Sequence, residues 1–142
     1  MTGFMLTLVL QGMVLANGEQ SYDEAYKEAD KSGKPLLVLV GAEWCGACVT
    51  MKSQAMSNMA RSGEFKRVSV AIVDLDNEPS LAQQLMKGAS LPQLLMFSKS
   101  PEGWKRTHMI GGATEDQIRE FIDRGMEIHI AKKPGTELSA KN

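Results

Sequence analysis

Cysteine and histidine are scarce in this chain of 142 residues, which contains only two of each. Two cysteines are too few to build a disulfide-stapled scaffold, and His108 and His129 lie too far from them in sequence to match a recognisable zinc-site spacing. A metal centre is therefore not predicted. The two cysteines favour a redox use over metal binding.

Long basic runs are also missing. Sixteen Lys and Arg oppose seventeen Asp and Glu, which gives a formal net charge of −1. No basic block is long enough to neutralise a phosphate backbone, so we expect no nucleic-acid partner. With 43% hydrophobic and 23% charged residues, the composition is typical of one globular domain with a proper core. We expect it to be a monomer.

The most informative segment that is present is Trp44-Cys45-Gly46-Ala47-Cys48, which holds both cysteines and follows the apolar run at 36–40. Residues three apart lie on one helix face, so two thiols at this spacing close a small disulfide ring with little backbone movement. The unpaired N–H groups of a helix N-terminus favour a thiolate. We therefore expect Cys45 to be the attacking nucleophile and Cys48 its partner in a redox cycle.

The first sixteen residues form an apolar stretch that ends in Val14-Leu15-Ala16, a pattern similar to a signal-peptidase cleavage site. We expect residues 1–16 to be a secretory signal peptide, although no Lys or Arg precedes the stretch. Two alternatives stay open. Residues 4–10 can form an extra strand of the sheet, and the segment can serve as a membrane anchor.

Apolar periodicity and capping residues predict alternating helices and strands within one domain at 17–130, followed by a flexible tail at 131–142. Ser21 and Glu24 match a capping box for the first helix, and the Thr114 hydroxyl is expected to cap the last. Helices are predicted at 22–29, at 45–60 (with Val49, Lys52, Met56 and Met59 at mixed three- and four-residue steps), at 80–87 and at 115–126. Strands are predicted at 36–40, 68–75, 94–97 and 104–110, the last two joined across Ser100-Pro101-Glu102-Gly103.

This order of elements resembles the thioredoxin superfamily over residues 20–126. Three motifs match: 42–48 is similar to the active-site segment, 73–76 to the third strand, and 91–97 to the proline-led strand of that superfamily. The resemblance implies an α/β thioredoxin fold. Such a fold has a central mixed β-sheet flanked by helices, with an antiparallel hairpin and a helix at its C-terminal end.

The resemblance also implies an activity, that of a thiol–disulfide oxidoreductase with Cys45 and Cys48 as catalytic residues. The Leu91-Pro92 bond is expected to be cis and to lie against the cysteine pair, where the backbone of Leu91 can pair with an extended client segment. Trp44 either offers a flat apolar surface to the client or packs against the first helix. No cofactor is expected beyond the Cys45–Cys48 disulfide.

Two positions depart from thioredoxins proper, which have a buried Asp and a Lys where this chain has Leu39 and Ile72. Without that acid, Cys48 lacks a local proton acceptor, and we expect it to attack the mixed disulfide more slowly. Glu43 can substitute for the missing acid through water, but an exposed carboxylate in a polar loop is the favoured interpretation.

The dipeptide between the cysteines, Gly46-Ala47, supplies neither the proline of reductases nor the histidine of strong oxidants. We therefore expect a reduction potential in the reducing half of a range from about −270 to about −120 mV.

The active-site segment resembles the thioredoxin-like domains of exported bacterial proteins, including the reductase domain of transmembrane disulfide-transfer proteins, more than it resembles cytosolic thioredoxin. A periplasmic or secreted location is expected on that ground, with disulfide-containing client proteins and a membrane disulfide reductase as electron donor. The alternative is a cytoplasmic chain served by a flavoprotein thioredoxin reductase.

Three further hypotheses stay open. The fold can be a non-catalytic module that binds a peptide or a soft metal such as Cu(I), or its cysteines can form a permanent, inert disulfide. The acidic group Asp74, Asp76 and Glu78 can hold a cation, although a capped, solvated loop is favoured.

Overall fold

Helices and strands alternate along the chain in a computed structural model that describes residues 20–131. The predicted signal peptide at 1–16 and all but the first residue of the predicted tail lie outside the described residues. The elements in chain order are α1 (Tyr22–Ser32), β1 (Leu36–Gly41), α2 (Gly46–Thr50), a π-helical turn (Met51–Met56), α3 (Ser57–Arg61), a 3₁₀ turn (Glu64–Arg67), β2 (Ser69–Asp74), α4 (Pro79–Leu85), β3 (Gln93–Ser100), β4 (Gly103–Ile110) and α5 (Glu115–Ala131).

The strands form one four-stranded sheet in the order β2-β1-β3-β4. β1 runs parallel to β2 and antiparallel to β3, and β3 pairs antiparallel with β4. The predicted mixed sheet with a C-terminal hairpin and helix is confirmed. The hairpin loop is shorter than predicted, because Ser100 pairs with Gly103 and its hydroxyl donates to the Gly103 carbonyl oxygen at 2.8 Å. Only Pro101 and Glu102 remain in the turn.

Two apolar clusters cover the two faces of the sheet, since alternate residues of a strand point to opposite sides. The methionine-rich cluster lies beneath the helices at 46–61 and α5, and its buried members are Leu37, Leu39, Met51, Met56, Met59, Val68, Val70, Leu94, Met96, Ile118, Phe121 and Ile122. The alanine-rich cluster lies beneath α1 and α4, and its buried members are Ala25, Ala29, Leu36, Val38, Val40, Ala71, Val73, Ala82, Leu85 and Leu95.

The helical stretch 46–61 contains a π-helical turn that the sequence periodicity did not predict. The Ser57 N–H reaches the carbonyl oxygen of Lys52, five residues back, and the Ser57 hydroxyl donates to the same oxygen at 3.0 Å. This wider turn rotates the following residues relative to a regular helix. Of the four residues at helical steps, Met56 and Met59 are buried and Val49 and Lys52 are exposed, while Met51 at the start of the turn is also buried.

Helix α5 extends to Ala131, five residues beyond the predicted end. The cause is His129, whose Nδ1 accepts a hydrogen bond from the Lys99 N–H at 3.0 Å and whose Nε2 donates to the Gly33 carbonyl oxygen. These bonds fasten the last turns of α5 to β3 and to the C-terminal cap of α1. None of the helices between residues 20 and 131 combines the length and the apolar character needed to cross a membrane.

Candidate active site

Both cysteines lie at the N-terminus of α2, where Cys45 is the capping residue. A disulfide joins them, with their Cα atoms 5.2 Å apart. The backbone N–H of Cys48 donates to the Cys45 sulfur at 3.2 Å, and the Val49 N–H donates to the Cys45 carbonyl oxygen at 3.0 Å. An N–H group and a helix N-terminus directed at one sulfur favour its thiolate form in the reduced protein.

The two sulfurs differ in access. Cys45 is half-buried, and its neighbours Gly46 and Ala47 are exposed, whereas the side chain of Cys48 is only 4% exposed. An outside molecule therefore meets Cys45 first. Cys48 is placed to react with whatever becomes attached to Cys45.

Gly41, the last residue of β1, lies directly under Cys48. A Cβ added to Gly41 would sit 3.0 Å from the Cys48 Cβ and 3.3 Å from its sulfur. This contact was not predicted from the sequence. The available signal is a glycine at the end of an otherwise bulky apolar strand, which often marks a close approach of another part of the chain.

Trp44 is 68% exposed, so it is not packed beneath the first helix. Its indole Nε1 donates to the Asp76 carboxylate at 2.8 Å. Asp74 holds the same loop by accepting hydrogen bonds from the N–H groups of Asp76 and Asn77. The acidic loop thus caps itself and orients Trp44. Across residues 20–131, no group of three or more His, Cys, Asp or Glu side chains is placed to hold a metal ion.

The Leu91-Pro92 peptide bond is cis, and Pro92 is buried. The Pro92 carbonyl oxygen accepts a hydrogen bond from the Gly111 N–H at 2.8 Å. The next residue, Gly112, lies beside Ala47, whose Cβ would be 3.7 Å from a Cβ added to the glycine. Pro92 is thereby linked to the cysteine segment through the loop after β4, which the sequence analysis did not include in the site.

Leu91 itself is partly buried against the alanine-rich cluster, and its backbone pairing with a client stays a prediction. Gln93, fully buried at the start of β3, holds this connection in place. Its amide group accepts from the Lys87 N–H and donates to the carbonyl oxygens of Lys87 and Ser90, all at 2.8 to 2.9 Å. A polar residue directly after Pro92 at the head of a buried strand is the signal that could have identified it.

A groove of about 390 Å³ lies on the inner side of Cys48. Its floor includes Leu39 and Ile72, which are direct partners in the pairing of β1 with β2. Glu43 and Asp74 also line it. Leu39 and Ile72, which stand where thioredoxins proper have an acid and an amine, thus lie side by side and line the same groove as Cys48.

Side chains with shifted pKa values lie in elements that contain none of the predicted site residues. Hydrogen bonds from Arg119 and Ser62 lower the pKa of the Glu64 carboxyl below its ordinary value. Burial raises the pKa of the Tyr22 hydroxyl. The Glu64–Arg119 pair fastens the 3₁₀ turn to α5, which is a structural role.

Comparisons with known proteins agree with this geometry. A family model described as thioredoxin-like matches residues 17–99. The chain is 33% identical to a thioredoxin of Acidithiobacillus ferridurans over 95 residues, which is 66% of this chain and 81% of that protein. It is 32% identical to the protein disulfide-isomerase erp38 of Neurospora crassa over 109 residues, 72% of this chain but 27% of the isomerase.

Among solved structures, a thioredoxin from Thermus thermophilus superposes with a TM-score of 0.60 at 22% identity, covering 80% of this chain and 88% of that protein. The predicted thioredoxin fold is confirmed.

Proposed function

The chain belongs to the thioredoxin-like family, and from that premise we propose that it is a thiol–disulfide oxidoreductase that reduces or exchanges protein disulfides through Cys45 and Cys48. The observation that carries the proposal is the unequal access of two bonded sulfurs at a helix N-terminus. It gives each cysteine a separate role. Cys45 receives the client, and Cys48 releases it.

The reaction has two exchange steps. The Cys45 thiolate attacks a client disulfide, which forms a Cys45–client disulfide and frees one client thiolate. Cys48 then attacks the Cys45 sulfur, which forms the internal disulfide and frees the second client sulfur. Two electrons pass from the dithiol to the client. Gly46 and Ala47 leave the Cys45 sulfur accessible, and exposed Trp44 offers the client a flat apolar surface.

The reducing direction is part of the proposal. Its support is local, since no histidine stands between the cysteines to add to the stabilisation that the Cys48 N–H and the helix N-terminus already give the Cys45 thiolate. A strong oxidant needs an unusually stable reduced form. Measuring the equilibrium potential of the Cys45–Cys48 couple against glutathione tests this direction.

The electron donor and the compartment are also proposed. The apolar segment at 1–16 supports export to the periplasm or the exterior, and the family match begins at residue 17. A membrane disulfide reductase would recharge the protein there, and a flavoprotein thioredoxin reductase would do so in the cytoplasm. Mass spectrometry of the N-terminus of the protein isolated from its native host separates the two.

Reduction of insulin disulfides with dithiothreitol as donor tests the activity. We expect turnover in the wild type, none in Cys45→Ser, and a trapped Cys48→Ser–insulin adduct. A wild type that is inactive but still binds Cu(I) or a peptide would replace the proposal with the binding-module hypothesis. A potential far below about −300 mV would indicate an inert structural disulfide.

A further inference from the structure

Glu43 lies at the groove on the inner side of the disulfide, and we propose that its carboxylate, acting through a water molecule, accepts the proton of the Cys48 thiol during the second exchange step. This inference rests on the proposed function, because Cys48 meets a mixed disulfide only after Cys45 has reacted with a client. It assigns Glu43 the role of proton acceptor, which the apolar side chains of Leu39 and Ile72 cannot fill.

Cys48 needs such a partner because only its thiolate is an effective nucleophile. Its side chain is 96% covered, and burial among apolar atoms disfavours a thiolate. The paired residues Leu39 and Ile72, where thioredoxins proper have an acid and an amine, offer no acceptor because both side chains are hydrocarbon. The proton must therefore leave along the groove that Cys48 lines.

The groove contains two carboxylates and one amine, from Glu43, Asp74 and Lys52. The Asp74 carboxylate already accepts, through Oδ1, hydrogen bonds from the N–H groups of Asp76 and Asn77 at 2.8 and 3.1 Å, which hold it in its own loop. The Lys52 ammonium carries no lone pair for a proton. Glu43 is exposed and makes no hydrogen bond or ion pair within the part of the chain that the structure describes, so its carboxylate is the available acceptor.

The groove has room for the water that the transfer requires. Its volume of about 390 Å³ exceeds the roughly 30 Å³ that one water occupies in the liquid. Ser53 and Ser57 line the same groove and supply hydroxyl groups that can hold water between the sulfur and the carboxylate. A bridging water transmits a proton without direct contact between the two side chains.

The Cys48 thiol gives its proton to the water, which gives one to the Glu43 carboxylate. The Cys48 sulfur forms a bond with the Cys45 sulfur as the bond between Cys45 and the client sulfur breaks. The client sulfur leaves as a thiolate and takes up the proton from Glu43, so the carboxylate is ready for the next cycle.

A chromogenic aromatic disulfide of nitrothiobenzoate separates the two steps in one stopped-flow experiment on the reduced full chain. Attack by Cys45 releases the first coloured thiolate, and attack by Cys48 releases the second. In Glu43→Gln we expect an unchanged first phase and a second phase slowed about tenfold. This is less than the hundredfold or more of a directly placed acid–base group, because a water intervenes.

The pH profile separates proton transfer from simple packing. The second phase of the wild type should vary little with pH until acid protonates a carboxylate, and Glu43→Asp should keep this profile. Glu43→Gln should instead slow steadily as the pH falls, because its rate then follows the fraction of Cys48 that is already a thiolate. Glu120→Gln, an exposed acid on α5, is the matched control and should change neither phase. An unchanged rate and profile in Glu43→Gln overturns the inference and leaves the oxidoreductase intact. A missing first phase in the wild type overturns both.

Discussion

The two sulfur atoms of the disulfide face opposite kinds of surroundings. On the outer side, Cys45 is half-buried beside exposed glycine, alanine and tryptophan residues. On the inner side, Cys48 lies against Gly41 and above an apolar strand pair. Two cysteines that look equivalent in the sequence are thus made unequal by the fold. The order of reaction that we propose for them follows from this difference in access and from the helix N-terminus that favours the Cys45 thiolate.

The largest expected effect is on alkylation. In the reduced protein at neutral pH, iodoacetamide should modify Cys45 about a hundredfold faster than Cys48, because Cys45 combines access with a stabilised thiolate. Peptide mass spectrometry over a time course measures both rates. In urea the two rates should converge, since both thiols are then exposed. Equal alkylation rates in the folded protein would show that Cys45 and Cys48 do not differ in access and thiolate stability.

The second prediction compares two glycines across the disulfide. Gly41→Ala should lower the free energy of unfolding by about 1–3 kcal/mol, because the new Cβ overlaps Cys48 and neither β1 nor α2 can move away freely. Gly46→Ala, whose Cβ would meet no atom within 4 Å, should change it by less than about 1 kcal/mol. Urea unfolding of the oxidised proteins measures both. Similar losses would contradict the close contact on the inner side.

The third prediction gives the inner side an acid. Leu39→Asp should speed the second exchange step about tenfold, since it places a proton acceptor on the apolar floor beside Cys48. Leu39→Asn is the control, because asparagine has the same size as aspartate and loses the same packing in the methionine-rich cluster but accepts no proton. Stopped-flow rates of the second coloured release decide the matter. If the second release is equally slow in both variants, the missing acid does not limit the rate at which Cys48 attacks the mixed disulfide.

The smallest expected effect concerns the outer side. Trp44→Phe removes the hydrogen bond to Asp76, and we expect a loss of only about 0.5 kcal/mol, because the group is largely exposed and water replaces the partner. Asp76→Asn provides the matching change for a double-mutant cycle. A coupling energy above about 2 kcal/mol would show that Trp44 is a structural anchor rather than an accessible surface.

Local signals in the sequence predicted much of this fold. The Ser21 and Glu24 capping box is present, and the Thr114 hydroxyl accepts the Gln117 N–H at 3.3 Å. Both depend on residues only three positions apart, so a short window contains all the information. The buried run at 36–40 and the cysteine pair at the helix N-terminus were predictable for the same reason.

Features that depend on distant partners were not predictable in this way. The contact of Gly41 with Cys48, the bond of Trp44 to Asp76 and the placement of Gly112 beside Ala47 all arise when separate elements meet. The π-helical turn also depends on distant residues, because both Met51 and Met56 are buried in the methionine-rich cluster against the sheet. Sequence periodicity assumes a regular helix and therefore did not predict the wider turn between Met51 and Met56.

The imidazole of His129 has a practical consequence for shortened versions of the protein. A truncation after Met126, where the apolar periodicity stops, would remove the ring and deprive the Gly33 carbonyl and the Lys99 amide of their hydrogen-bond partner. Fraying would then start at both the α1–β1 junction and the outer end of β3. We therefore expect a shortened version to be more stable when it keeps residue 129, with any affinity tag placed beyond that point.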